Sequence, residues 1–282
     1  MILVTGSTGT IGREVLRKLP ADQAVRVLAR DPARVTGAPG TAEIVQGDYD
    51  DPRSLECAMR GVRSVLLVTN RVGQDDDRRL IETARSVGVR HVVKLSAAAV
   101  EDPGADDLIT RWQRDNEELL RASGLEWTLL RPRSFMSNAL SWAASVRTES
   151  VVRVLYGQSA NACVDPRDIA EVAVRALTEE GHAGRVHTLT GPQAITAAQQ
   201  TAQLSQLLGR PLRVEELTPG QARVLLRGRH PEAVVEALLS SAERQREGAK
   251  AKVEGTVADL LGRPAGSFRA WAAAHLGAFA AA

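Results

Sequence analysis

Two cysteines are too few, and Cys57 and Cys163 too far apart in the chain, for a disulfide framework or a zinc site; neither has ligand spacing beside it. No metal is expected. An excess of one charge sign is missing too: 36 basic against 34 acidic residues leave a formal +2, so no broad field recruits nucleic acid or an anionic membrane. No apolar run reaches the roughly twenty residues needed to span a bilayer. Met1 opens a core strand rather than a signal peptide, which makes a cytoplasmic location the expectation. Lysine is scarce, with Lys18, Lys94, Lys250 and Lys252 standing among many arginines, and aromatics make up 3% of the chain.

What is present starts at the first residue. Met1-Ile2-Leu3-Val4 runs into Thr5-Gly6-Ser7-Thr8-Gly9-Thr10-Ile11-Gly12 and then an amphipathic stretch to Leu19. That order describes a strand, a tight turn and the start of a helix, whose unpaired N–H groups and positive dipole end hold a pyrophosphate. Gly6 permits the sharp turn, Gly9 lets the backbone approach the phosphates, and Gly12 lets the helix pack close on the sheet. The spacing is a Gly-x-x-Gly-x-x-Gly variant of the dinucleotide fingerprint.

Apolar runs Ile2–Thr5, Ala24–Ala29, Ala42–Gln46, Ser64–Val68, His91–Ser96 and Glu126–Leu130 read as strands. Helical spacing fills Ile11–Leu19, Pro52–Arg60, Asp76–Val87 and Asp106–Ala122, which gives the βαβ rhythm of an α/β, doubly wound parallel sheet. The Pro- and Gly-containing stretch Arg30–Thr41 leaves little room for a full helix. Ser134–Ala144 and Asp168–Leu177 read as helices, Ser145–Ala162 is mixed, and Val186–Leu189 returns as a last strand. Four helical stretches, Ala197–Leu208, Pro219–Leu226, Pro231–Arg246 and Phe268–Leu276, follow with a short strand Leu212–Glu216, and Ala272–Ala282 reads as a frayed helical tail. The division expected is a dinucleotide-binding domain over 1–145 and a substrate-binding region over 146–282, with 163–190 returning to the first sheet.

In such sheets ligands bind beyond the carboxyl ends of the strands. Strand two ends at Arg30, where an acidic residue favours NAD and a cation favours the 2′-phosphate of NADP(H); Ser7 offers the same phosphate a hydroxyl. Asp48 closes strand three, where a carboxylate accepts from the adenine amino group or simply serves a turn. Val68-Thr69-Asn70 and Ser96 end strands four and five on the path toward the nicotinamide.

The chain resembles the NmrA-like group of atypical short-chain dehydrogenase/reductases over nearly its whole length. The resemblance is carried by the glycine turn, Gly47-Asp48, Val92-Val93-Lys94-Leu95-Ser96, Trp127-Thr128-Leu129-Leu130-Arg131-Pro132, Phe135-Met136-Ser137-Asn138 and Val164-Asp165-Pro166-Arg167-Asp168-Ile169-Ala170. It implies a Rossmann-type domain with a small, mostly helical C-terminal substrate domain, NADP(H) along the strand ends, and Pro132 to Asn138, with Phe135, beside the nicotinamide. It implies reduction of quinones or azo compounds, or else NADP(H) sensing or a tailoring role in secondary metabolism.

The Tyr-x-x-x-Lys pair by which short-chain dehydrogenases move a proton to a carbonyl oxygen is absent: Tyr49 and Tyr156 are followed four residues later by Arg53 and Ala160, and the expected position offers Ile109 and Gln113. A quinone or other conjugated aromatic acceptor needs less, because hydride addition leaves a delocalised anion that water protonates. Ser96 and Lys94 are the candidate catalytic residues, Ser96 binding acceptor or nicotinamide amide and Lys94 stabilising negative charge or pairing with a carboxylate. Trp112, Phe135, Met136, Asn138 and Trp142 are candidates for holding a small aromatic or quinonoid substrate, with core packing the alternative for each aromatic. No histidine falls at an expected site. Two readings stand at this stage: a reductase preferring NADP(H) over NAD(H), compatible with a homodimer, and a non-catalytic NADP(H)-binding redox sensor acting through a protein partner.

Overall fold

A computed structural model of the protein describes residues 1–280. In chain order the first elements are β1 (Ile2–Val4), α1 (Thr10–Lys18), β2 (Val25–Ala29), β3 (Glu43–Gln46), α2 (Pro52–Met59), β4 (Ser64–Leu67), α3 (Asp76–Ser86), β5 (His91–Leu95) and α4 (Leu108–Ala122). Next come β6 (Glu126–Pro132), α5 (Ala143–Glu149), β7 (Val151–Val154), α6 (Pro166–Thr178) and β8 (Arg185–Leu189). The remainder comprises α7 (Ala197–Leu208), β9 (Arg213–Glu216), α8 (Pro219–Arg227), α9 (Glu232–Arg246), α10 (Thr256–Leu261) and α11 (Phe268–Ala274).

The chain forms two compact units. The first comprises residues 1–100, 110–132 and 166–188, the second 101–109, 133–165 and 189–280. The sheet has seven strands in the order β3-β2-β1-β4-β5-β6-β8, and the pairings from β3 through β6 are parallel, with Ile2 opposite both Val25 and Ser64. Chain order reverses between β1 and β4, the switch point where open α/β sheets leave a crevice. Helices α2, α3 and α4 cover one face through Leu55, Met59, Leu80, Ile81 and Leu120, which pack with Leu3, Val65, Val92 and Leu129. Helices α1 and α6 pack together, α6 also lying against β4, β5 and β6. Burial of β1, β2, β4 and most of β5 explains why they read as Val- and Leu-rich runs, while β3 at the sheet edge is largely exposed.

The second unit has its own core of Met136, Val146, Val152, Leu204, Phe268, Trp271 and Phe279, beside a two-stranded parallel sheet of β7 and β9. Three local expectations are refined here. The helical stretch expected over 134–144 starts at Met136 as a 3₁₀ turn over 136–142 and continues as α5 to Glu149. The mixed stretch holds β7, a four-residue strand that pairs in parallel with β9. The tail does not fray: Leu276–Ala278 makes a 3₁₀ turn that seats Phe279, which is fully buried, while residues 281–282 lie outside the described residues. Among the described residues no helix is long and apolar enough to cross a membrane.

Candidate active site

The turn after β1 depends on two glycines. Gly6 has φ +61, and a Cβ on it would lie 2.9 Å from Val68; a Cβ on Gly12 would lie 2.3 Å from the Gly6 carbonyl oxygen. The loop is fastened to β4 from below. The Thr5 hydroxyl donates to the Leu66 carbonyl at 2.8 Å and accepts from the Val68 N–H at 3.0 Å. The Tyr49 hydroxyl accepts from the Gly6 N–H at 3.3 Å and donates to the Val68 carbonyl at 3.4 Å, and burial pushes its pKa up. Gly9, extended, is the N-cap of α1 and no side chain caps the helix, so the amides of its first turn keep their donors for a ligand anion.

A cavity of about 340 Å³ lies around this turn. Of the residues expected to hold the cofactor, Gly6, Ser7, Thr8, Gly9, Arg30, Asp48, Val68, Thr69 and Asn70 line it. Thr10, Ile11 and Gly12 form the first turn of α1 instead, with Ile11 and Gly12 buried. Ser7 needs correction in one respect: its hydroxyl is buried and donates to the Leu28 carbonyl at 3.2 Å, tying the loop to β2 rather than offering a proton to a 2′-phosphate. Asp48 uses one carboxylate oxygen on the Asp50 N–H at 3.0 Å. Arg34, Tyr49 and Arg71 also line the cavity and escaped the sequence reading.

The cations of this cavity differ in kind. Arg71 is neutralised by Asp76, through Nε at 2.8 Å and Nη2, and by Asp50 at 2.7 Å. Arg30 and Arg34 are exposed, and among the described residues no carboxylate pairs with either. The uncapped α1, the glycine approach and these two open guanidinium groups fit a dinucleotide carrying an extra phosphate on its adenosine ribose.

At the end of β5 the two candidate catalytic residues are both engaged. Lys94 is wholly buried and pairs with the equally buried Asp77, which also accepts from the Thr69 hydroxyl; the Trp112 ring centroid lies 5.8 Å from Nζ. The carboxylate pairing weighed for Lys94 is the arrangement the structure shows, and it commits the ammonium to Asp77 rather than to open solvent. The Ser96 hydroxyl donates to Glu117 at 2.5 Å, and Arg131 grips the same carboxylate, with Nε at 2.9 Å from Oε1. Ser96 therefore keeps only acceptor capacity for a bound group. On α4, Gln113 Oε1 and Asn116 Nδ2 are buried without partners.

The remaining substrate candidates divide between the units. Trp112, in the first, is nearly buried and its indole N–H donates to the Gln74 carbonyl at 3.4 Å. In the second, Met136 is buried in the core and lines a 360 Å³ cavity with Phe268 and Arg269, and Trp142 packs against the same core. Phe135 bridges to Val164 and is half-buried, Asn138 is exposed, and Pro132 is buried at the end of β6. At the opposite ends of the strands, His182 Nδ1 and His187 Nε2 lie 3.2 Å apart, and burial pulls His187 down to about 4.

A family model described as NAD(P)H-binding matches residues 6–180. The chain is 56% identical over 99% of both chains to (4-alkanoyl-5-oxo-2,5-dihydrofuran-3-yl)methyl phosphate reductase of Streptomyces griseus. It is 38% identical over the full length of both to NAD(P)H azoreductase of Xenophilus azovorans. Among solved structures it superposes on the NADPH complex of the NADPH-dependent quinone oxidoreductase of Escherichia coli with a TM-score of 0.85, 27% identity and coverage of 98% and 100%.

Proposed function

This chain belongs to the NAD(P)H-binding family of atypical short-chain reductases, and from that premise we propose that it reduces an electron-poor conjugated acceptor with NADPH. The acceptor class that fits best is a (4-alkanoyl-5-oxo-2,5-dihydrofuran-3-yl)methyl phosphate. The observation carrying this reading is the identity of 56% over 99% of both chains to a reductase of that compound. Bound NADPH supplies a hydride.

The chemistry of the acceptor agrees with what the chain has and lacks. Its C3=C4 double bond is conjugated with two carbonyls, so hydride addition at C3 places the negative charge on a β-dicarbonyl enolate. Water then protonates C4, and the product is the saturated lactone. No buried phenol held by a lysine is required, in keeping with the missing Tyr-x-x-x-Lys pair. The residues of this chain bind and orient: the α1 amides take the pyrophosphate, Arg30 and Arg34 take the 2′-phosphate, and Ser96, held by Glu117 and Arg131, accepts a hydrogen bond at the end of β5. NADPH is preferred to NADH on this account because Arg30 and Arg34 have no internal counter-charge.

The test is NADPH oxidation with the furanone phosphate, with menadione and with an azo dye, alongside calorimetric binding of NADPH. Turnover with formation of the saturated lactone is expected. Tight NADPH binding with no turnover of any acceptor would favour the redox-sensor reading instead.

A further inference from the structure

Lys94 and Asp77 form an ion pair in which neither side chain is exposed. Apolar side chains of similar volume hold a core as well as such a pair does, because taking both charges out of water offsets their attraction. What the pair secures is direction. Asp77 divides its carboxylate: Oδ1 accepts from the Lys94 ammonium, and Oδ2 accepts from the Thr69 hydroxyl at 2.5 Å. The ammonium has a fixed neighbour on another side as well, since the Trp112 ring centroid lies 5.8 Å from Nζ and the indole N–H is bound to the Gln74 carbonyl.

Thr69 is the member of this relay that reaches the cofactor cavity, where it is partly exposed and lines the wall together with Val68 and Asn70. With its one proton committed to Asp77, the hydroxyl turns only lone pairs toward a ligand. It therefore receives a donor and turns away an acceptor. Val68, the preceding residue, stands against Gly6 of the phosphate turn, where a Cβ would lie 2.9 Å from the valine side chain. The parts of a dinucleotide next to its pyrophosphate are the two riboses, whose hydroxyls donate, whereas the phosphate oxygens only accept.

We propose that Thr69 accepts a hydrogen bond from a ribose hydroxyl of the nicotinamide coenzyme, and that Asp77 and Lys94 are positioning residues that fix the hydroxyl for it. The inference rests on the coenzyme reading above. The whole relay lies within the first unit, on the end of β4, the first turn of α3 and the end of β5. Both coenzymes carry ribose hydroxyls, so this contact adds affinity for NADPH and NADH alike and leaves the choice between them to Arg30 and Arg34.

Calorimetry gives Kd for NADPH and for NADH with the wild type, Thr69→Val, Thr69→Ser, the double variant Asp77→Leu/Lys94→Met, and that double variant combined with Thr69→Val, each verified by thermal melting. Thr69→Val keeps the ion pair and weakens both coenzymes by the same factor, about three- to tenfold, and Thr69→Ser recovers the wild-type affinity. The double variant, whose Thr69 hydroxyl is free to turn, binds both coenzymes at least about threefold more weakly. Adding Thr69→Val to it weakens binding no further, as expected of residues that act as one unit. Asp77→Asn is a second route to the same test: its amide oxygen still accepts from Lys94 while its NH2 donates to Thr69, so the hydroxyl presents its proton to the cavity and affinity falls as far as in Thr69→Val. Wild-type affinity in Thr69→Val, or in whichever of the Asp77 variants folds, overturns the proposal, as do additive losses or a loss confined to one coenzyme. If the wild type binds neither coenzyme, the coenzyme reading has failed and this proposal with it; binding by the wild type that the variants leave unchanged removes this proposal alone.

Discussion

Lys94 in the first unit and Lys250 in the second are both drawn out of solvent, yet their surroundings differ completely. Lys94 meets the buried Asp77, which Thr69 steadies, whereas Lys250 donates to the Ser241 hydroxyl. The cofactor cavity repeats the contrast on its own rim, where Arg71 is neutralised by Asp50 and Asp76 while Arg30 and Arg34 stand open. A charge answered inside the protein holds the fold, and the open charges of Arg30 and Arg34 are the ones the proposed 2′-phosphate would meet. Sequence position does not separate the two kinds, because either looks like a basic residue near a strand end.

The largest effect expected from this contrast is on stability. Asp77→Ala leaves the Lys94 ammonium buried alone and lowers the unfolding free energy by about 3–5 kcal/mol in urea titrations, whereas Asp77→Leu combined with Lys94→Met recovers most of the loss. Wild-type stability in the single variant breaks the comparison. Next in size is the cofactor. Removing one charge-assisted contact costs about 1.5–3 kcal/mol, so Arg30→Ala and Arg34→Ala each weaken NADPH binding by roughly 10- to 150-fold, with little change for NADH. Equal losses for both coenzymes contradict the assignment.

Ser96→Ala removes one hydrogen bond while leaving Glu117 in the grip of Arg131, and costs about 1 kcal/mol of stability. A fall in kcat far beyond that size, with NADPH affinity kept, would give the hydroxyl a larger role at the reacting centre. The smallest effect is in acid. The His187 pKa is pulled down to about 4 by burial, with His182 and Arg185 adding to the shift, against about 6.5 in the unfolded chain. Between those values the unfolded state takes up a proton that the native state refuses, so stability is lost as pH falls from 6.5 toward 4. His187→Gln therefore narrows the difference in melting temperature between pH 7 and pH 5, and an unchanged difference removes the histidine from the account.

The Rossmann half of the fold was legible because β1, β2, β4 and β5 are largely buried and rich in Val and Leu despite Arg26, Ser64, His91 and Lys94, and lie between amphipathic helices. The glycine turn was legible for a different reason, since Gly6 and Gly12 have no room for a side chain. β7 was not, because its β-branched run is only four residues long and its partner β9 comes much later in the chain. Arg30 was singled out from its place after β2 and does line the cavity, while Arg34 and Tyr49 arrive there through a 3₁₀ turn and a loop that periodicity does not mark. Ser96 was found but its partner was not, because Glu117 and Arg131 reach it from two other elements.

The most direct test of the central claim uses NADPH carrying deuterium at both C4 positions of the nicotinamide, mixed with the furanone phosphate and the protein in ordinary water. Direct hydride transfer places one deuterium on the ring carbon that bears the phosphomethyl group and a solvent proton on its neighbour between the carbonyls. A protein that binds the labelled coenzyme yet leaves the furanone unlabelled and unreduced contradicts the account.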